Sequence, residues 1–487
     1  MLQLHELAAR VVRGSFWVMG LRLSAHALGL LRLALLARWL APRDFGLLGA
    51  ALLVTTLLDT MTQTGFEPAV IRRRDTRGAV LHVMWTVSLC RGVILAAVLL
   101  AAAHASARWL DAPAAAPLIA AMALGFVLNG AVNPGVIAFR RDLDWRRQFL
   151  FELTALLADV GVQLTLAWLW RSAWALVLGQ LTRTLAQLVG SYVLHPFRPR
   201  WCLDRAVVRE LCAFGSWSTA AGIAVFLCGW LDGTVVLHQL GVAALGLYQL
   251  ATRLGHFATT EVTYAINEVA YPTYALLQAE RTRLQRAYVR ALKTTLLAVC
   301  PVTILLGTLG RELVASFLGE RWAAMATSLF VVAVASALRA VIGTSGYVCN
   351  AVGQPRWNAV LQGVRLVVLA ACLWPFTARW GVIGAALATL ASVLALVPLF
   401  PIVLRDTVGV RGHDLLAAAR IPTASGLVML LVLVGGRQMP CSWDVTTVSM
   451  LGAAALLAYG SAASLVAGPQ ARRRVMGLVA AGWSGRS

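Results

Sequence analysis

Long apolar runs alternate with short polar and charged clusters along most of this chain. A helix needs roughly 20 consecutive apolar residues to cross the hydrocarbon core of a bilayer, and the runs have about this length. The pattern therefore predicts fourteen membrane-spanning helices. The predicted spans are residues 15–38, 45–69, 79–103, 115–138, 149–169, 173–195, 211–231, 241–270, 292–313, 323–347, 359–377, 381–403, 417–436 and 447–467.

The predicted spans fall into three groups. Six lie in residues 1–205 and six in residues 206–404, and each set of six is expected to form one helical lobe. Residues 405–487 hold an additional helix pair and a basic tail. The predicted fold class is an all-α polytopic membrane protein with about 14 transmembrane helices, arranged as two six-helix bundles and a C-terminal helix pair.

A short internal repeat supports this division into two bundles. Leu40–Ala51 aligns with Leu240–Ala251 at an offset of 200 residues, with four identical positions. One of these positions is a glycine, Gly46 in the first copy and Gly246 in the second. Because each half holds an even number of spans, the two copies are expected to have the same orientation in the membrane. Such halves are related by a pseudo-two-fold axis along the membrane normal.

The composition excludes a soluble protein. Hydrophobic residues make up 59% of the chain and charged residues 13%, and the mean hydropathy is +0.75. A soluble domain cannot bury so large an apolar fraction, whereas lipid can cover it. The eight cysteines have no metal-type spacing, and no phosphate-binding loop of the form GxxxxGK[ST] is present. ATP-driven transport by this chain alone is therefore not expected.

The net charge of +21 is explained by membrane topology, since no segment offers the basic polar surface that nucleic acid would bind. Of the 42 Lys and Arg residues, about 27 lie at the termini and in alternate gaps between spans, and about 7 lie in the intervening gaps. Cytoplasmic loops of membrane proteins carry such an excess. The distribution predicts a multi-pass protein of the bacterial inner membrane with both termini in the cytoplasm.

The remaining eight basic residues lie inside predicted spans. A charge that faces lipid costs at least about 2.5 kcal/mol, so these side chains are expected to face water or a partner. Arg38 and Arg183 lie close enough to a span end to reach the interface. The full set is Arg22, Arg32, Arg38, Arg91, Arg183, Arg253, Arg339 and Arg365.

Helical periodicity groups several of these charges with other polar residues. Arg22 and His26 share one helix face with Gly29, and Asp59 lies on a polar stripe with Thr55 and Thr62. A further stripe on the eighth span contains Arg253, Glu261, Tyr264, Glu268 and Tyr271.

We interpret these stripes as the walls of a cationic cavity, because arginine binds phosphate oxygens through a planar, permanently charged group. The expected substrate contacts are Arg22, His26, Arg91, Arg253, Arg365 and Tyr264. The acids Asp59, Glu261 and Glu268 are expected either to pair with the arginines or to bind a coupling H⁺ or Na⁺. The alternative is that arginines and acids pair between helices only to fix their packing.

Two long stretches resemble a known family. LARWLAPRDFGLLGAALLVTTLLDTMTQTGFEPAVIRRRD, residues 36–75, resembles the N-terminal signature of Wzx-like bacterial polysaccharide flippases. These belong to the multidrug/oligosaccharidyl-lipid/polysaccharide (MOP) superfamily. LGLYQLATRLGHFATTEVTYAINEVAYPTYALLQAERTRLQRAYVRALK, residues 245–293, resembles the second-half signature. The resemblance extends over about residues 10–405.

The resemblance implies two six-helix bundles around a central cavity and the flipping of undecaprenyl-diphosphate-linked oligosaccharide to the periplasmic leaflet. The polysaccharide would be an exopolysaccharide or a lipopolysaccharide. The implied mechanism is alternating access, without a catalytic residue, a metal or a cofactor beyond a possible H⁺ or Na⁺ gradient. The expected partners are the lipid-linked oligosaccharide, membrane lipids and polysaccharide polymerase or export proteins, but not nucleic acid.

Three other functions are consistent with the membrane topology. A drug/cation antiporter of the same superfamily would be favoured by an excess of acidic cavity residues, whereas arginines outnumber acids here. A membrane-embedded polymerase or ligase usually needs a sizeable periplasmic loop. A purely structural partner of a synthesis complex would leave the charges inside the spans unexplained.

Overall fold

The computed structural model describes residues 28–29, 31–62, 78–141, 144–278, 280–438 and 444–466. In this part of the chain the ordered secondary structure is helical, without a β-strand, and residues 31–39 are also helical. The thirteen α-helices with described bounds are α1 (Pro42–Met61), α2 (Gly78–Trp109), α3 (Ala116–Gly130), α4 (Ile137–Arg141), α5 (Trp145–Trp170), α6 (Trp174–Leu194), α7 (Arg205–Leu276), α8 (Arg281–Leu318), α9 (Ala326–Ala351), α10 (Pro355–Leu394), α11 (Leu399–Thr407), α12 (Gly412–Arg437) and α13 (Val445–Val466).

Ten stretches of the described residues are long and apolar enough to cross a membrane. This confirms the predicted all-α membrane fold, while the number fourteen stays a prediction. Helix α6 is not one of the ten, although residues 173–195 were expected to span the membrane. Its interior carries Gln180, Arg183 and Gln187, which lower the mean hydropathy of an otherwise apolar helix.

Glycines break two of the long helices. Gly241 inside α7 has φ 83° and ψ 179°, and Gly381 inside α10 has φ 61° and ψ −139°. Positive φ is strained for residues with a Cβ atom, so glycine is suited to both breaks. Beyond the break at Gly381, the backbone at Gly384 lies very close to that of Phe376. A Cβ on Gly384 would be 1.9 Å from the carbonyl oxygen of Phe376. Each break falls at a boundary between two predicted spans.

The two glycines of the internal repeat form a reciprocal contact between α1 and the second segment of α7. A Cβ on Gly46 would lie 1.8 Å from the carbonyl oxygen of Val242, and a Cβ on Gly246 would lie 1.9 Å from that of Pro42. Both contacts join positions that correspond under the 200-residue offset. A local two-fold axis between the two repeat segments produces such a pair of equivalent contacts. Small residues let helix backbones approach this closely.

The chain divides into two compact units, residues 1–246 and residues 247–487. In the first unit, Leu36 and Leu40 pack with Ala167, Ala175 and Leu176. This cluster joins the helical segment 31–39 to α5 and α6.

The second unit includes the C-terminal helix pair. Leu309 of α8 packs with Met429 and Leu433 of α12 and with Ala455 of α13. The hydroxyl of Tyr459 donates a hydrogen bond to the carbonyl oxygen of Leu297 at 3.0 Å. Helices α12 and α13 are therefore packed against α8. The predicted boundaries after residues 205 and 404 stay predictions.

Replacing Gly246 by Ala is expected to separate α1 from α7, because the new Cβ would lie 1.9 Å from the carbonyl oxygen of Pro42. Overpacking of this kind costs roughly 1–3 kcal/mol. The measurement is the apparent melting temperature of the detergent-purified protein, followed by loss of its monodisperse gel-filtration peak. Gly161→Ala in α5 is the matched control, since no heavy atom lies within 4 Å of a Cβ there. Equal melting temperatures for the two variants would contradict the close contact.

Candidate functional site

Four of the nine predicted site residues cannot be placed as side chains. Arg22 and His26 lie outside the described residues. Glu261 and Glu268 lie on α7, but their side chains are also outside the described part of the structure. The structure describes the other five, which are Asp59, Arg91, Arg253, Tyr264 and Arg365.

Asp59 and Arg91 form an ion pair that joins α1 to α2. Arg91 Nη2 donates to Asp59 Oδ1 at 2.5 Å and to the Asp59 carbonyl oxygen at 2.8 Å. Arg91 Nε donates to Thr62 Oγ1 at 3.0 Å. A cation near the carboxyl end of a helix is stabilised by the main-chain carbonyl groups that end there. The two side chains remain 25% and 38% exposed, so the pair is accessible from outside the protein core.

Asp59 also lines a polar cavity of about 160 Å³ inside the first unit. The cavity lies between α1, α3 and α6, and Met122, Phe126 and Leu181 give it an apolar part. Its polar wall consists of Thr55, Thr56, Asp59, Asn129, Gln180 and Thr184. A carboxylate, an amide and hydroxyl groups that face one space inside membrane-spanning helices can bind water or a small cation. We call this space the polar cavity.

The polar cavity contains residues that sequence reasoning did not single out. Gln180 and Thr184 stand four positions apart on α6 and therefore on the same helix face. That spacing was the available signal. Asn129 of α3 lies four positions before Asn133 in the predicted span 115–138, and only the folded structure shows that Asn129 reaches the cavity.

Arg32 is bound in a buried network rather than exposed to a cavity. Its Nη1 donates to Asp159 Oδ2 of α5 at 2.6 Å, and Gln163 Nε2 donates to Asp159 Oδ1 at 2.6 Å. The side chains of Arg32 and Asp159 are 13% and 4% exposed. Removing one partner of a buried ion pair lowers the stability of a protein by roughly 3–5 kcal/mol, because the other charge is left uncompensated. For Arg32, the interpretation as a packing contact is therefore the better supported.

The second unit contains a histidine on α7 that lies near two arginines of other helices. Arg365 of α10 is 8% exposed, and His256 of α7 lies within electrostatic range of both Arg365 and Arg339 of α9. Gly255 allows α7 and α9 to approach, since a Cβ there would lie 2.9 Å from Val332 Cγ1. We call His256, Arg339 and Arg365 the cationic cluster.

Several buried polar atoms near the cationic cluster in sequence lack a partner. Arg365 Nε has no hydrogen bond within the described structure, and neither has Gln362 Oε1, one turn earlier on α10. Ser336 Oγ, one turn before Arg339 on α9, is also buried without a hydrogen-bond partner in the described structure. Buried polar groups are normally hydrogen-bonded, so an unsatisfied nitrogen on a buried guanidinium indicates room for a ligand or water. A guanidinium group prefers an anionic partner with several oxygens.

Arg253 and Tyr264 lie on α7 but are not buried with the cationic cluster. Arg253 is exposed, and Tyr264 is 42% exposed. Of the predicted cations, Arg365 has the environment of a binding residue, and Arg91 has an acidic partner. His256 was missed although it follows Arg253 of the predicted polar stripe by three residues, because the arginines near it lie on other helices.

The chain is similar in sequence to proteins of polysaccharide biosynthesis and in fold to solved membrane proteins. The chain is 24% identical over 338 residues to the lipopolysaccharide biosynthesis protein WzxC of Escherichia coli (strain K12), covering 69% of each chain. Its fold matches that of the lipid II flippase MurJ in an inward closed conformation with a TM-score of 0.74, at 13% identity, over 93% of this chain and 98% of that one.

A multidrug resistance MATE family transporter of the MOP superfamily, in an inward-facing conformation, also has this fold. The TM-score is 0.63 at 16% identity, over 79% of this chain and 94% of the transporter. At such identities the two structural matches establish the fold alone. The family model for polysaccharide biosynthesis proteins matches residues 35–327. This match covers more than half of the sequence, and the chain therefore belongs to the polysaccharide biosynthesis protein family, as the resemblance of residues 36–75 and 245–293 to polysaccharide flippases predicted.

Proposed function

We propose that the protein flips an undecaprenyl-diphosphate-linked oligosaccharide from the cytoplasmic to the periplasmic leaflet of the bacterial inner membrane. The product would serve exopolysaccharide or lipopolysaccharide biosynthesis. The observation that carries the proposal is Arg365, a buried guanidinium on a membrane-spanning helix with an unpartnered Nε, within electrostatic range of His256 on α7. Membership of a polysaccharide biosynthesis family and the flippase fold support the choice of substrate. The proposed activity is transport and includes no catalytic step.

The cationic cluster would bind the diphosphate. The mutual repulsion of like charges in a poorly solvated site is relieved when an anion binds between them. A diphosphate offers several oxygens to the two guanidinium groups, and the bidentate geometry of arginine suits it. Arg22, His26, Arg253 and Tyr264 remain proposed as further substrate contacts. The polyprenyl chain would stay in lipid, because transferring it to water is unfavourable.

The Asp59–Arg91 pair would couple transport to an ion gradient. A proton or Na⁺ at the Asp59 carboxylate would compete with Arg91 and weaken the connection between α1 and α2. Such binding can drive a conformational change only if the ion binds one state more tightly than the other. The polar cavity supplies oxygen atoms from Thr55 and Thr56 beside this carboxylate. Glu261 and Glu268 are proposed as additional coupling acids.

A drug/cation antiporter is the second candidate, and the MATE fold match is the observation that favours it. Such a transporter needs an acidic binding site for its organic cations. The cationic cluster would repel these substrates, and this is why the flippase is preferred.

Deleting the gene in its host is expected to abolish the surface polysaccharide of one locus and to leave lipid-linked repeat units on the cytoplasmic side. The measurement is surface polysaccharide together with the protection of lipid-linked units from an externally added glycosidase in spheroplasts. Complementation with the intact gene should restore both. Unchanged surface polysaccharide and an unchanged distribution of the lipid-linked units in the deletion strain would refute the proposed function.

Arg365→Gln is expected to weaken diphosphate binding by about 10- to 100-fold, since a hydrogen bond to a charged group contributes about 1.5–3 kcal/mol. Surface polysaccharide at matched protein level should fall accordingly. Arg379→Gln is the control, because Arg379 has its guanidinium 5.5 Å from the ring of Trp380 and does not belong to the cationic cluster. If both variants export equally well, Arg365 does not bind the substrate.

Asp59→Asn is expected to stop export while the protein still accumulates, because an amide cannot bind a proton or Na⁺ as a carboxylate does. The double variant Asp59→Asn, Arg91→Gln removes both charges and is expected to recover thermal stability but not export. Asp44→Asn, at the other end of α1, is the control. Export restored in the double variant would show that the pair only fixes helix packing.

A further inference from the structure

Three aromatic side chains meet at one end of the first unit. Trp109, the last residue of α2, stacks on Trp230 of α7 with ring centroids 6.2 Å apart and an interplanar angle of 11°. His238 of α7 meets Trp109 edge to face at 5.3 Å and 62°. Trp230 Nε1 donates a hydrogen bond to the Leu53 carbonyl oxygen at 3.0 Å, which fixes the orientation of its ring. We call Trp109, Trp230 and His238 the aromatic cluster.

The backbone around Trp109 is fixed by packing and hydrogen bonds, but its side chain is more than half exposed. Ala107 and Leu110, on either side of it in sequence, are fully buried. The turn after α2 is closed by hydrogen bonds from Asp111 N to Arg108 O at 3.0 Å and from Ala112 N to Ala107 O at 2.9 Å. Trp109 nevertheless has 55% of its surface exposed. A flat ring is therefore presented outward on a fixed support.

The aromatic cluster lies at the ends of predicted spans, since Trp230 is the last residue but one of the predicted span 211–231. Trp109 is six residues past the end of the predicted span 79–103, or about 9 Å at the helical rise per residue. His238 is seven residues past the predicted span 211–231 and still inside α7, which puts it about 10 Å beyond. The Lys and Arg distribution assigns this side to the periplasm. The exposed ring of Trp109 therefore lies at the end of its apolar stretch, where the predicted membrane surface is.

The chemistry of the aromatic cluster suits a sugar ring. The face of an indole carries partial negative charge and attracts the C–H groups on the flat side of a pyranose. His238 Nδ1 is buried and has no hydrogen-bond partner in the described structure. A sugar hydroxyl at the edge of Trp109 would supply that partner once the imidazole turns toward it.

We propose that the aromatic cluster is a carbohydrate-binding platform that receives a sugar of the flipped oligosaccharide on the periplasmic side. This inference rests on the proposed function, since it takes the oligosaccharide as the ligand. An interfacial tryptophan needs only its own amphipathic ring. Here a second indole and an imidazole support the exposed ring, as in a site built for a flat ligand.

Trp170 provides a matched comparison. It ends α5, lies on the same predicted side of the membrane and is also 55% exposed. Among the described residues, the ring of Trp170 contacts no other aromatic ring, whereas the ring of Trp109 stacks on Trp230. A role that depends on exposure at the interface alone would make the two tryptophans equivalent.

The test measures binding and export in Trp109→Ala, Trp109→Phe and Trp170→Ala. The probe is the oligosaccharide released by mild acid from the host's own lipid-linked repeat units, titrated calorimetrically into the detergent-purified protein. Trp109→Ala is expected to weaken binding by about five-fold, since an aromatic contact contributes about 0.5–1.5 kcal/mol. Trp109→Phe should retain most of the affinity, and Trp170→Ala should match the unmodified protein. Surface polysaccharide at equal protein level should follow the same order.

Equal binding and equal export in Trp109→Ala and Trp170→Ala would overturn the platform and leave the flippase proposal intact. Unchanged surface polysaccharide in the deletion strain would instead refute the flippase proposal, whatever the variants do. If Trp109→Ala does not accumulate, Trp109→Leu keeps the apolar bulk of the side chain and removes the flat face. Unimpaired binding by a folded Trp109→Leu protein would likewise overturn the platform.

Discussion

The cost of placing a charge in the hydrocarbon core is the constraint on which the rest of this structure depends. Each arginine inside a membrane-spanning helix needs water, an acid or a ligand anion. Arg32 is satisfied by Asp159, and Arg91 by Asp59 and the end of α1. Arg365 is buried with one unpartnered nitrogen, so its requirement is only partly met by the protein. The three arginines thus differ in what compensates their charge.

Close contact between helices is the second requirement, and glycine provides it. Gly46, Gly246 and Gly384 each stand where a Cβ would meet a backbone carbonyl at less than 2 Å. Without a hydrophobic driving force in lipid, such contacts are a main source of helix association. The same contacts also set which polar residues meet: α1 carries both Gly46 and Asp59, so its packing against α7 helps to hold the carboxylate at the polar cavity.

Hydropathy and charge predicted the helices, because each depends on short stretches of sequence. The breaks at Gly241 and Gly381 each fall at the first residue of a predicted span for the same reason. The residues that pair with each buried charge were harder to predict from the sequence. Arg32 was recognised as a costly charge, but Asp159 lies 127 residues away and nothing local connects the two. His256 likewise gains its meaning only from arginines on two other helices. Pairing depends on tertiary contacts, whereas periodicity describes one helix at a time.

The way in which Arg91 holds α1 has a mechanical consequence. Three of its hydrogen bonds reach α1 or the residue just after it, and only the one to the Asp59 carboxylate responds to a cation. The bonds to a carbonyl oxygen and a hydroxyl oxygen are indifferent to charge. Neutralising Asp59 would therefore remove the ionic part of this contact and leave the other two hydrogen bonds in place. The two helices would move more freely relative to each other but would remain in contact. Ion binding at Asp59 would therefore change the stiffness of the contact between α1 and α2 and would not separate the two helices.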